Sequence, residues 1–124
     1  MNKFQLNLDR QADVLRKDLD AGRIDPEAAS KQLLELSRLA GNGGWAFSDG
    51  DYPSAHRCIQ HLFAHPEASL EVLVNLYHGL DDIWLSPSII HGLSRNPMVP
   101  VFIDVVDPEF SKMVVVLTKY CVSN

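Results

Sequence analysis

The chain has 124 residues, enough for one compact domain with a real core. Its 46% hydrophobic and 22% charged residues are ordinary for a soluble globular protein, and no apolar run approaches the ~20 residues that cross a bilayer. The net charge of −5 repels phosphate, which argues against a nucleic-acid binder.

Along the chain, Phe4, Leu8, Ala12, Leu15 and Leu19 recur at helical spacing and predict one inward face, with charges opposite. This N-terminal stretch carries acids and no apolar segment, so it does not read as a signal peptide. Gly22 predicts a stop. Asp25-Pro26-Glu27 predicts a start: Asp caps, Pro sits where its missing N–H costs nothing, and Glu favours the positive end. The second helix should reach about Ala40, with Ala29, Leu33, Leu36 and Ala40 inward. Residues 1–40 thus read as an antiparallel helical hairpin. Gly41-Asn42-Gly43-Gly44 breaks it and opens a linker, 41–48, which Trp45 and Phe47 should pin to the core.

A third helix is expected from Ser54 to Ala64, with Ala55, Cys58, Ile59 and Leu62 inward and Pro66 ending it. A fourth should run from Glu67 to His78, burying Leu70, Leu73, Val74 and Tyr77, with Gly79 as its stop. Ser86-Pro87 starts a fifth, with Ile89, Ile90 and Leu93 inward, and Asn96-Pro97 ends it. A sixth, about Val99 to Val106, is apolar almost throughout. The last segment reads two ways: Met113 to Leu117 is β-branched enough for a strand, while Phe110, Met113, Val114, Leu117 and Cys121 fit a capping helix, the reading preferred. Cys58 and Cys121 read as reduced core cysteines rather than a disulfide scaffold.

The segment from Asp51 to Leu76 recurs 31 residues later, from Asp82 to Asp107. Asp51/Asp82, Ile59/Ile90, Leu62/Leu93, Pro66/Pro97 and Val74/Val105 are identical in that register. A period near 30 residues points to a helix pair that stacks on a copy of itself to bury its apolar face. The HPEASLEVLVNL and NPMVPVFIDVV segments, each an X-Pro break followed by an apolar helix, resemble α-helical repeats of the HEAT-like or leucine-rich-repeat-variant kind. That resemblance covers residues 51–107 and implies a binding scaffold. The expected fold is therefore all-α: the hairpin, two stacked HEAT-like helix pairs and a C-terminal capping helix over 49–124, within a single domain 1–124.

Two constellations bear on function. His61 and His65 stand at i, i+4, a spacing able to hold a metal. Leu62 occupies the place where the zinc-protease motif needs Glu, and His56, Arg57, Gln60 and His61 together read as a solvated polar face. With His78 and Asp81/Asp82, His61 and His65 make a metal-dependent hydrolase the alternative reading. The second constellation is acidic. Residues 1–45 balance seven bases against seven acids, so the whole excess of acid lies in the repeat half. In a stack of antiparallel helices alternate loops share an edge. The loops entering the third, fifth and seventh helices carry Asp49 and Asp51, then Asp81 and Asp82, then Asp107 and Glu109, with Tyr52, Ile83 and Trp84 among them. Aromatic anchors amid steering charge are the make-up of a protein-binding site. The leading reading is a cytoplasmic, non-catalytic module that docks a basic protein through Asp49, Asp51, Tyr52, Asp81, Asp82, Ile83 and Trp84, without cofactor or metal, nucleic acid or membrane. In size, acidity and lack of a catalytic motif the chain also resembles immunity proteins of bacterial toxin systems, which implies a toxin as the basic partner.

Overall fold

The computed structural model describes residues 3–41, 47, 52–80 and 86–98. They form five helices, α1 (Lys3–Asp20), α2 (Pro26–Ala40), α3 (Pro53–Ala64), α4 (Leu70–Leu80) and α5 (Ser86–Leu93). No strand occurs among the described residues, and the fold is all-α. The expected sixth helix, the segment Met113 to Leu117 and Cys121 lie outside the described residues. No helix among those described is long and apolar enough to cross a membrane.

Local chemistry sets the helix ends. At the end of α1 the Arg23 N–H reaches the Asp18 carbonyl at 2.9 Å and the Gly22 N–H reaches that of Leu19 at 3.1 Å. This Schellman closure needs the left-handed φ of +74° that Gly22 supplies. The Asp25 carboxylate accepts the Ala28 N–H at 2.8 Å and starts α2, with Pro26 behind it. α3 stops before His65-Pro66. The Ser69 hydroxyl accepts the Val72 N–H at 3.2 Å and starts α4, three residues later than the Glu67 start expected from sequence. The delay has a cause: Pro66 and Glu67 are held in a turn closed by the Ala68 N–H on the His65 carbonyl.

The 31-residue period has a local counterpart in these turns. The His65 N–H bonds to the Leu62 carbonyl, and the Asn96 N–H to that of Leu93. His65 Nδ1 then accepts the Glu67 N–H at 3.1 Å, and Asn96 Oδ1 accepts the Met98 N–H at 2.9 Å. Each pair of bonds is the other displaced by one period. A ring nitrogen and an amide oxygen do the same work, which is why the two positions correspond despite differing in type.

α3 lies between α1 and α5, while α2 packs on α1 and α4. α1 and α3 run in the same direction, because Asp9 of α1 meets Ser54 at the start of α3 and Asp20 meets His61 near its end. α5 also runs with α3: Ser88 meets His56 early, and Asn96, just past α5, meets Phe63 late. The core between the helices is built from Leu33, Ile59, Leu62, Phe63, Leu73, Leu76 and Leu80, all fully buried. Of the expected inward residues, Ala40, Leu70, Val74, Tyr77 and Ile90 are only partly covered; on α4 it is Leu73, Leu76 and Leu80 that turn to the interior. Phe4 is 54% exposed rather than inward. It precedes Asp9, the level at which α3 begins, by more than a turn, so α1 overhangs the layer it packs on. Cys58 is a free, buried thiol, and burial pushes its pKa up to about 12, so it stays protonated and inert.

Two glycines mark where backbones approach. A Cβ on Gly92 of α5 would lie 2.5 Å from the Gln60 carbonyl oxygen and 2.8 Å from the Phe63 Cβ of α3. Gly79 does not stop α4, as the sequence suggested. It lies inside the helix, where a Cβ would fall 2.6 Å from the Leu34 Cδ2 of α2. The two sites differ in what must yield. Gly92→Ala is expected to cost about 1–3 kcal/mol, the usual result of overpacking against a backbone that cannot move aside. Gly79→Ala should be near neutral, since the end of the partly exposed Leu34 side chain can swing and alanine gains roughly 1 kcal/mol of helix propensity. Urea denaturation of the two variants checks the contrast; equal losses would place the α3–α5 approach wrongly.

Candidate functional site

The N-terminal edge of α3 is built around a carboxylate from another helix. Tyr52 occupies the cap position and its side chain makes no capping bond, while Pro53 follows without an N–H. The first free donors of α3 are therefore Ser54 and Ala55. Asp9 of α1 takes both: Oδ1 lies 3.0 Å from the Ser54 nitrogen and 3.1 Å from that of Ala55. Asp9 is 7% exposed, so these bonds are what make its burial tolerable, and its negative charge faces the positive end of the α3 dipole.

Beside this cap, His56 ties three segments together. Its Nε2 contacts the Phe47 carbonyl oxygen, and its Nδ1 lies 2.9 Å from the Ser88 hydroxyl of α5. A carbonyl only accepts, so Nε2 carries a proton. In the neutral ring Nδ1 accepts from Ser88. A serine hydroxyl on the bare nitrogen of an oriented imidazole is the geometry of an activated nucleophile. Ser88 is 7% exposed, however, and does not present its hydroxyl to a substrate. The pair is a polar tie between α3 and α5.

Of the seven residues expected to form the binding rim, Asp49, Asp51, Asp81, Asp82, Ile83 and Trp84 lie outside the described residues. Tyr52 corrects the expectation. It is 1% exposed, with its ring 5.2 Å from that of Phe47. Burying two aromatic rings under the start of α3 gains more than presenting one to solvent, so Tyr52 belongs to the core. The same contact fulfils the pinning role expected of Phe47; Trp45 is outside the described residues.

The C-terminal edge gathers other candidates. The ends of α1, α3 and α5 border an open cleft of about 230 Å³ lined by Asp20, Gln60, His61, His65, His91 and Arg95. His61 Nδ1 lies 2.8 Å from Asp20 Oδ1, and the other carboxylate oxygen is 3.2 Å from Arg16. His56, Gln60 and His61, expected on a solvated face, are half-covered instead, because α5 approaches His56 and Gln60 and Asp20 of α1 meets His61; only Arg57 of the four is exposed. The i, i+4 pair His61 and His65 does share this cleft. His78 does not line it and lies on α4 beside Tyr77, with ring centroids 5.3 Å apart. Asp81 and Asp82, the acids of the hydrolase reading, are outside the described residues. Among the described residues no three His, Cys, Asp or Glu side chains converge as metal ligands.

Neither Asp9 nor His56 was singled out from sequence as a tie between helices. An acid on the inward side of α1, one residue after Leu8, was the available signal for Asp9. For His56 the Ser54-Ala55-His56-Arg57 stretch carries none. Comparison with protein-family models, curated proteins and solved structures finds no match to this chain.

The Asp9 cap is testable directly. Asp9→Ala leaves two N–H groups without their acceptor and should cost about 2–3 kcal/mol. Asp9→Asn keeps an oxygen acceptor while losing the charge, and about 1 kcal/mol is expected. Denaturation at neutral pH, with m-values compared, would refute the cap if Asp9→Ala were as stable as the parent.

Proposed function

We propose that the protein is a non-catalytic, helical-repeat binding module that docks a basic protein partner through the acids flanking the starts of α3 and α5. The observation that supports this reading most is the parallel course of α3 and α5. Their N-terminal ends are neighbours, joined by His56 and Ser88. In sequence Asp49 and Asp51 directly precede α3, and Asp81, Asp82, Ile83 and Trp84 directly precede α5. On this reading, segments that lead into the neighbouring starts of parallel helices would add their charges there.

The N-terminal hairpin contributes little to that field. Asp13 is paired with Arg16 and Lys17, Asp18 with Arg23, Glu27 with Lys31 and Glu35 with Arg38. Arg16 and Lys17 hold the Asp13 carboxyl below the usual carboxylate range, and Arg38 does so for Glu35. Acids neutralised by bases a few residues away neither attract nor orient a partner at distance. With Tyr52 in the core, Ile83 and Trp84 are left as the apolar anchors. The particular form of the proposal is a cytoplasmic immunity-type inhibitor, in which the acidic edge occupies the cationic site of a toxin.

Immobilised protein, with Asp81→Asn/Asp82→Asn and Trp84→Ala as parallel baits, tests this on lysate of the native cell. Proteins held by the parent and lost by the variants are identified by mass spectrometry and followed kinetically at two salt concentrations. The double variant should associate several-fold more slowly, an effect that shrinks as salt rises. Trp84→Ala should dissociate roughly tenfold or more faster. Partners retained equally by all three baits would sink the reading.

A further inference from the structure

The cleft at the C-terminal edge contains more cationic and donor chemistry than the helix ends require. Histidines in the last turns of α3 and α5 offset the negative ends of those helices, and that accounts for the presence of His61 and His91. It does not account for their convergence. Three of the five histidines line this one depression, together with Arg95, one of only four bases after residue 45. Among the described residues the His91 ring and the Arg95 guanidinium have no hydrogen-bonding or ionic partner.

The ring states of the other two histidines follow from their bonds. The Glu67 N–H donates to His65 Nδ1, so in the neutral ring the proton of His65 is on Nε2, leaving it a donor. Asp20 accepts from His61 Nδ1, and its own charge is met by His61 and Arg16. Asp20 is thus the one acid on the lining, and it is already engaged. Among the described residues, what remains uncommitted is a fork of guanidinium donors, a fixed imidazole donor and a second imidazole around about 230 Å³.

We propose that this cleft binds a phosphate-type oxyanion, either inorganic phosphate or the phosphate of a small phosphomonoester. A tetrahedral phosphate offers several acceptor oxygens to donors arriving from different elements, and arginine matches two of them at once. The volume admits the group with a short organic remainder. The acid excess of the chain does not forbid it, because charges beyond a Debye length, about 8 Å at physiological salt, are largely screened. The pairing is local, and Arg95 is its main charge.

Side-chain NMR of the histidines, with inorganic phosphate, glycerol 3-phosphate and acetate added at constant ionic strength, tests the site. Phosphate should shift His61, His65 and His91 with one saturating curve and leave His56 and His78 in place. Arg95→Ala should raise the Kd about tenfold, since a charge-assisted bidentate pair is lost, while Arg95→Lys recovers part of it. Tighter binding of glycerol 3-phosphate identifies a phosphomonoester as the ligand class; equal binding identifies free phosphate. Non-saturating shifts, or the same response to acetate as to phosphate, would overturn the proposal, as would an Arg95→Ala variant that titrates like the parent. Because Arg95 is exposed in the turn after α5, the variant should keep its helical circular dichroism. A failure here leaves the acidic edge untouched, since that edge is read by partner retention.

Discussion

A buried carboxylate on one helix closing the start of another is the constraint on which the rest of the packing depends. α3 begins with a tyrosine that does not cap and a proline that does not donate. Its first two N–H groups would otherwise face the interior without acceptors. Asp9 supplies both bonds from α1, and in doing so fixes the level at which α1 and α3 meet. From that level the overhang of Phe4 and the meeting of Asp20 with His61 follow. Leaving a buried donor unpaired costs more than an ordinary hydrogen bond gains, so the register is held by avoidance of that cost.

α3 is flanked on both sides by helices running its own way. Parallel neighbours place like dipole ends together, which is unfavourable unless side chains answer the partial charges. The molecule answers at both edges. A carboxylate sits at the positive end of α3, and His61 and His91 stand in the last turns of α3 and α5, at their negative ends. Gly92 makes the α3–α5 approach close enough for this to matter, and Asn96 completes it by donating to the Phe63 carbonyl at 2.8 Å. Both functional proposals draw on helix direction: one uses the acidic segments that precede α3 and α5 in sequence, the other the cationic lining where the helices end.

Much of the helical framework was legible because it rests on bonds between near neighbours. Asp25 reaches Ala28, Gly22 closes on Leu19, and the turns at His65 and Asn96 bond two residues on. Such signals appear in any stretch of five or six residues. The Asn96-Pro97 break and the 31-residue period were visible for the same reason. Where local signals competed, they misled. Glu67 looked like the start of α4 although Ser69 holds the cap, and Gly79 looked like a stop although it serves close packing against Leu34.

The amino-acid sequence by itself determined the helical class, the ends of α1 and α2, the end of α3 and most of the apolar face of each helix, because these depend on periodicity and on bonds within a turn. Only the tertiary structure decided which polar residues turn inward and which aromatics are presented. Asp9 finds its partners 45 and 46 residues away, His56 finds Ser88 32 residues away, and Asn96 finds Phe63 at 33. Tyr52 was assigned to the surface by its neighbours in sequence and to the core by Phe47 and the helix above it. A side chain's burial depends on what the rest of the chain brings over it, and no short window of sequence contains that.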